Sequence, residues 1–497
     1  MPPTKGLAAL LVITLLAATP AVAAKRDRAL EAALHAHVAT LASDAFGGRE
    51  PGTEGETLTL RYLAREWFRI GLVSGTNDPG NAWFAPVELV ERVPSRSFAA
   101  FTRNRRPLAL PAEGVLVLTS APRQLVENAP LLFLGRDGGA APSRAELAGR
   151  IAVVLDRPLP GADPETTATR ADRLLEAGAA AVLTVLDGDR SLDEVAARRA
   201  RAGYALAGDA LGGDLEAFVA PDYAARLFGP EWPALVKAAD AGPIRPRSLG
   251  IVATLEATTR ETRIATHNLI GKLPGRDPKA GAVLVLAHWD HFGRCAEPPA
   301  EDLICNGAID NASGLAVLTE TARILARGKK LDRDVYFIAT TGEELGLLGA
   351  HAFAENPPVP IDSIVAAFNI DSPAIGPAGQ SLAIVGHGLT ELDGEIAKAA
   401  KALKLQIAPN SAADNLLRRQ DGWALLQHDV PAVLVTTAYV DTARVERFLD
   451  ETYHRPGDDY APTMDLSGAA QDVAVQVALV RWFANAKSYP TRRSLGL

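Results

Sequence analysis

Residues 282–287, 335–340, 364–369 and 432–437 are runs of almost unbroken apolar side chains, and between the first three lie amphipathic stretches at 314–327 and 345–355. A strand that is apolar at every position, rather than at alternate ones, must be covered on both faces, and intervening helices supply that cover. The expected architecture of this part is therefore α/β, a mixed, mostly parallel central sheet flanked by helices. In such sheets reactive side chains collect beyond the C-terminal ends of the strands.

The 497 residues exceed what one hydrophobic core usually holds together, so a second unit is expected. Strand-like runs at 131–134, 151–155 and 180–185, with proline-rich loops at 158–164 and 243–246, mark it as an inserted β-rich α+β module over 111–258. The charged stretch 190–201 reads as the solvated face of a helix. Ahead of the module, helices are expected at 28–41 and 54–70, the second with Leu58, Tyr62, Leu63 and Trp67 on one face and Gly71 as its stop. The main domain is thus assembled from 25–110 and 259–497.

Residues 1–24 carry Lys5, an apolar run over 7–18 and the small residues Ala21-Val22-Ala23, the pattern of a cleavable export signal. The mature protein is expected in the periplasm or outside the cell, with no membrane attachment, since no later run approaches spanning length. Its formal charge of -8 is spread among interspersed acids and bases, which excludes a basic footprint for nucleic acid. Cys295 and Cys305 are the only cysteines, and in an exported chain a close pair is expected to be bridged. Such a bridge is worth about 2–3 kcal/mol on a loop-entropy basis. With no second pair, a cysteine metal site is not expected.

The chemistry-bearing residues follow apolar runs: His288, Asp310, the pair Glu343-Glu344, Asp371 and His454. Singly, each has a plainer reading. His288 and His454 pass for ordinary core or loop histidines, Asp310-Asn311-Ala312-Ser313-Gly314 for a turn and helix cap, and Glu343-Glu344 for a charged helix start. Their conjunction points elsewhere, because a set of nitrogen and oxygen donors suits zinc with an open position. Neutral water attacks a peptide bond slowly, and paired cations overcome this by acidifying a shared water. One carboxylate must then bridge the metals and another must take the proton, tasks that adjacent Glu343 and Glu344 can divide.

The strings His288-Trp289-Asp290-His291-Phe292-Gly293, Asp310-Asn311-Ala312-Ser313-Gly314, Gly342-Glu343-Glu344-Leu345-Gly346-Leu347-Leu348-Gly349, Asn369-Ile370-Asp371 and Tyr453-His454 together resemble the M28 family of co-catalytic zinc peptidases. Leu41-Ala42-Ser43-Asp44, Gly48-Arg49 and Gly52-Thr53 resemble that family's N-terminal segment. The inserted module is similar to a protease-associated domain through Leu147-Ala148-Gly149-Arg150-Ile151-Ala152-Val153-Val154 and Ala177-Gly178-Ala179-Ala180-Ala181-Val182. The resemblance implies two Zn2+ ions. Asp310 would bridge them, His288 and Asp371 would complete one site, and Glu344 and His454 the other. Glu343 would be the general base, Asp290 would accept a hydrogen bond from His288, and a cis peptide would follow Asp310. His291, His351, His387 and His428 fall outside this set, with His291 at most lining the cleft. Where relatives show Ser-Asp-His, this chain has Arg419-Gln420-Asp421-Gly422-Trp423, which leaves the substrate pocket open.

The implied activity is an exported di-zinc aminopeptidase acting on peptides. A glutamate-carboxypeptidase-type enzyme is the alternative, with Arg418 and Arg419 as donors to a terminal carboxylate. A non-catalytic peptide-binding or receptor-like protein is a second, and glutaminyl cyclase is disfavoured by the retained ligand set and the large insert. Zinc against manganese or cobalt, side-chain preference and oligomeric state stay open at this level.

Overall fold

The apolar runs form the interior of one sheet. In this computed structural model, which describes residues 27–491 apart from 112, 137–141, 164–165, 168, 200–202, 210–213 and 410–411, every residue of Ala282–His288, Asp334–Thr340 and Ala432–Thr436 is buried. The expected leader at 1–24 lies outside the described residues. These strands and Ile364–Asn369 are parallel, ordered Ala432–Thr436, Ile364–Asn369, Ala282–His288, Asp334–Thr340. Antiparallel Ala383–Val385 and Arg247–Leu273 flank them.

Each buried strand feeds two cores. Val283, Val285 and Ala287 face helices Arg28–Leu41, Glu54–Ile70, Gly314–Ala326 and Ser467–Phe483, while Ala282, Leu284 and Leu286 pack with Phe353, Ala354 and Leu425 on the opposite face. The two N-terminal helices follow the expected bounds. Thr53 caps the second, and Gly71, at φ 95°, ends it in the left-handed conformation that glycine adopts without a Cβ penalty. Trp67, fully buried, donates its indole N–H to Thr319 Oγ1 at 3.2 Å and so ties this helix to Gly314–Ala326, which begins at the Asp310 loop.

The central strands connect to the insert through a ribbon that the sequence pattern did not reveal as continuous strands. Phe84–Arg103 and Arg247–Leu273 pair antiparallel from Phe84–Leu269 to Arg103–Ile251. Polar residues such as Glu91, Arg92, Arg260 and Glu261 interrupt any apolar signal, yet the backbone ladder runs through them. At the far end a second core gathers Phe101, Phe133, Val153, Leu183 and Leu255. We propose 111–258 as the working extent of the module, with Phe101 of the entering strand also in its core. Its strand Gly203–Leu206 returns to pair with Leu89–Arg92, and Leu206 packs on Leu348.

Glu320, on the helix that follows the Asp310 loop, lies 3.4 Å from His37 Nε2 and accepts from Arg323 Nε at 2.8 Å. Burial raises its pKa, but His37 and Arg323 outweigh that and hold it at about 2. A depressed carboxylate contributes stability above its unfolded value, and that contribution is lost as pH falls towards the folded one. Glu320→Gln is expected to lower unfolding free energy by about 1–3 kcal/mol at pH 7. It should also flatten the acid limb below the ordinary value of 4.5, as read by urea denaturation across pH.

Candidate metal centre

Every sequence-predicted ligand converges at the C-terminal edge of the parallel strands. His288 is the last residue of its strand, Asp371 follows Ile364–Asn369, and Glu343-Glu344 follows Asp334–Thr340. Asp310 sits in the loop entering Gly314–Ala326, and His454 follows helix Thr442–Glu451. The helix expected from 345 begins at Leu348. Gly346 and Leu347 both have positive φ, and their amides donate to Glu343 O, so the glutamate pair rides a tight turn.

His288 Nε2 lies 3.1 Å from Asp310 Oδ1, 3.7 Å from Asp371 Oδ1 and 4.0 Å from Glu343 Oε2. His454 Nε2 lies 3.5 Å from Asp310 Oδ2 and 2.8 Å from Glu344 Oε2. The two oxygens of Asp310 therefore face two different imidazoles. Donor atoms from His288, Asp310 and Glu344, and from His288, Glu343 and Asp371, form groups lying within 4.8 Å of one another. Neither His288 Nε2 nor His454 Nε2, both shielded from solvent, has a hydrogen-bond partner. Buried ring nitrogens left unpaired against carboxylate oxygens fit bound cations.

The imidazole of His288 is oriented differently from the expectation. Its Nδ1 lies 3.2 Å from the backbone oxygen of Asp290 and 3.9 Å from the carboxylate. A carbonyl only accepts, so Nδ1 carries a proton and Nε2 is the nitrogen turned to the centre. The Asp290 carboxylate instead accepts from the backbone N–H of Glu343 at 3.2 Å and of Glu344 at 3.4 Å, pinning that turn.

Sequence reasoning missed two supporting residues. Asp458 accepts from Ile309 N at 2.8 Å and Asp310 N at 3.0 Å. His291 places Nδ1 2.5 Å from Glu344 Oε1. The available signals were an acid just past the Pro456-Gly457 turn and an imidazole three residues beyond a candidate ligand. Asn311 adds a brace, donating to Ile370 O and accepting from Gly314 N and Ser372 N. The Asp310–Asn311 peptide is cis, and Cys295 is bridged to Cys305.

Burial favours neutral forms throughout this cluster. It pushes Glu343 well above the carboxylate range, helped by Glu344, Asp371 and Asp421 and opposed by His288. Asp290 rises to about 7 and Asp458 to about 6, again chiefly through burial. Burial works against a charged His454, but Asp310 and Glu344 push it up to about 9. Asp310 is held well below its usual value, since His288 and His454 outweigh burial.

Residues 268–478, which include every candidate ligand, match the model of Peptidase family M28. Residues 268–478 are thus a peptidase family M28 domain. Aminopeptidase YwaD of Bacillus subtilis strain 168 is 35% identical to it over 103 residues, 20% of this chain and 20% of that protein, so the match spans a fifth of that relative's length. The chain shares its fold with an aminopeptidase from Aneurinibacillus sp. strain AM-1, at a TM-score of 0.53 and 19% identity over 91% of this chain and 93% of that one. BSAP, a zinc aminopeptidase from Bacillus subtilis, aligns at a TM-score of 0.46 and 18% identity over 93% of this chain and 97% of that one.

Because His291 holds Glu344 from behind, His291→Phe is expected to weaken binding of divalent metal about 10- to 100-fold while preserving the fold. Competition with a chromophoric chelator measures this, and unchanged affinity would remove His291 from that role.

Proposed function

We propose that this chain, with its M28 domain, is an exported di-zinc aminopeptidase that releases N-terminal residues from peptides. The carrying observation is Asp310, whose oxygens are divided between His288 and His454 as a bridging carboxylate requires. Among the described residues no helix is long and apolar enough to cross a membrane. The disulfide suits an oxidising compartment outside the cytosol, in keeping with the expected leader.

His288 and Asp371 would hold one cation, Glu344 and His454 the other, and Asp310 both. Bound there, zinc would supply the Lewis acidity that generates a nucleophile from water near neutral pH and stabilises charge on the peptide carbonyl oxygen. The two glutamates differ in a way that supports this division of tasks. Glu344 is engaged from both sides, by His291 at 2.5 Å and His454 at 2.8 Å. No hydrogen bond among the described residues reaches the Glu343 carboxylate, and its approach to His288 is the longest of the three carboxylates there. Glu343 is thus the group left free to take the proton from water and return it to the departing amine.

Beside Asp371 a cavity is lined by Ile375, Val385, Leu434, Val445, Phe448 and Tyr453, a setting for an apolar side chain of the substrate. Arg419 borders it and donates to Tyr453 Oη at 3.2 Å, which is the observation favouring the carboxypeptidase alternative. Arg418 lies over the Trp423 ring at 5.2 Å, so the two arginines engage different aromatic partners and do not form a paired clamp. The complete ligand set disfavours a receptor without catalysis.

Leucine amide is expected to be cleaved and N-acetylated peptides are not. Activity should vanish with a chelator and return with zinc. Glu343→Gln should lower kcat by about 10²–10⁴-fold with metal content unchanged by elemental analysis. Trimming of N-blocked peptides from the C-terminus would transfer the assignment to the carboxypeptidase.

A further inference from the structure

Arg49 is fully buried, yet among the described residues none of its donors meets a carboxylate. Its guanidinium is satisfied by main-chain carbonyls alone. Nε donates to Trp289 O at 2.8 Å, Nη1 to Leu41 O at 3.0 Å and Asn306 O at 2.5 Å, and Nη2 to Gly307 O at 3.0 Å. Those acceptors belong to three separate segments: the end of the first helix, the turn between His288 and Asp290, and the loop leading to Asp310.

The backbone is bent to deliver the side chain there. Gly47, Gly48 and Arg49 all have positive φ, between 53° and 64°. A Cβ on Gly48 would come within 2.5 Å of Cys305 O, so only glycine allows this approach to the disulfide hairpin. Arg49 itself occupies a region that is costly for a side chain and is kept only when its surroundings over-determine it. A second tether runs in parallel, with Asn306 Nδ2 donating to Asp44 Oδ1 at 2.7 Å.

We propose that Arg49 is a positioning residue of the metal centre, a fork that locks the His288 turn to the Asp310 loop. The inference rests on the metallopeptidase reading above. The requirement is geometric: His288 and Asp310 come from distant parts of the chain and must stay within one cation's reach, and the planar fork spans the segments that carry them. A lysine keeps the charge but has its donors on a single point, which cannot serve four carbonyls on three segments.

Arg333 supplies the control. It too is fully buried and donates to carbonyls, those of Ala280, Phe483 and Tyr489, with Thr491 Oγ1 as a further acceptor, but it sits just before the strand Asp334–Thr340, at the end opposite the metal centre. The purified chain and its Arg49→Lys, Arg49→Met and Arg333→Lys variants are stripped with a chelator. Zinc affinity is then measured by chelator competition, and melting of the metal-free forms by circular dichroism. Arg49→Lys should bind zinc at least about tenfold more weakly than the parent, while Arg333→Lys, though lower melting, stays within about twofold. Parental affinity in Arg49→Lys overturns the inference, as does tighter binding by Arg49→Met, the result expected if Arg49 acts only through its charge. Absence of zinc uptake by the parent overturns the metallopeptidase reading together with this inference.

Discussion

Like charges held about 4 Å apart repel by about 4 kcal/mol at the effective dielectric of a protein. Asp310, Glu343, Glu344 and Asp371 nevertheless crowd around the buried imidazole of His288 and the neighbouring His454. An interior accepts such a set only when protons or other positive charge sit among the carboxylates. The rest of the molecule is organised around keeping these side chains in place before any cation arrives.

Three layers of restraint do this. The parallel strands, buried on both faces, end at a common edge and fix where His288, Glu343 and Asp371 leave the sheet. Backbone amides then fix the turns, with Asp290 accepting from Glu343 and Glu344 and Asp458 from Ile309 and Asp310. The N-terminal segment finally clamps the loops to one another through Arg49 and Asp44. The insert touches the same region from the other side, where Leu206 packs on Leu348 just beyond the glutamate turn.

Much of this was legible from residue type and order. Unbroken apolar runs mark strands covered on both faces, and the polar residues after them mark the reactive edge, because burial leaves few other places for such side chains. The long ribbon through Phe84–Arg103 and Arg247–Leu273 was not legible, since its cohesion comes from a backbone ladder that leaves no apolar signature across Glu91, Arg92, Arg260 and Glu261. Asp290 illustrates a subtler gap. Its nearness to His288 was readable, but whether its carbonyl or its carboxylate meets the ring depends on the path of the turn.

Sequence alone determined the layered α/β core and which nitrogen- and oxygen-bearing side chains, in which order, are candidates to hold a cation, because these follow from the burial of apolar side chains and from which groups can bind one. Tertiary structure decided which oxygen of Asp310 faces which histidine, which glutamate is restrained and which is free, and that Arg49 reaches three separate segments. Those outcomes depend on distances between parts of the chain hundreds of residues apart, and no local pattern encodes a distance.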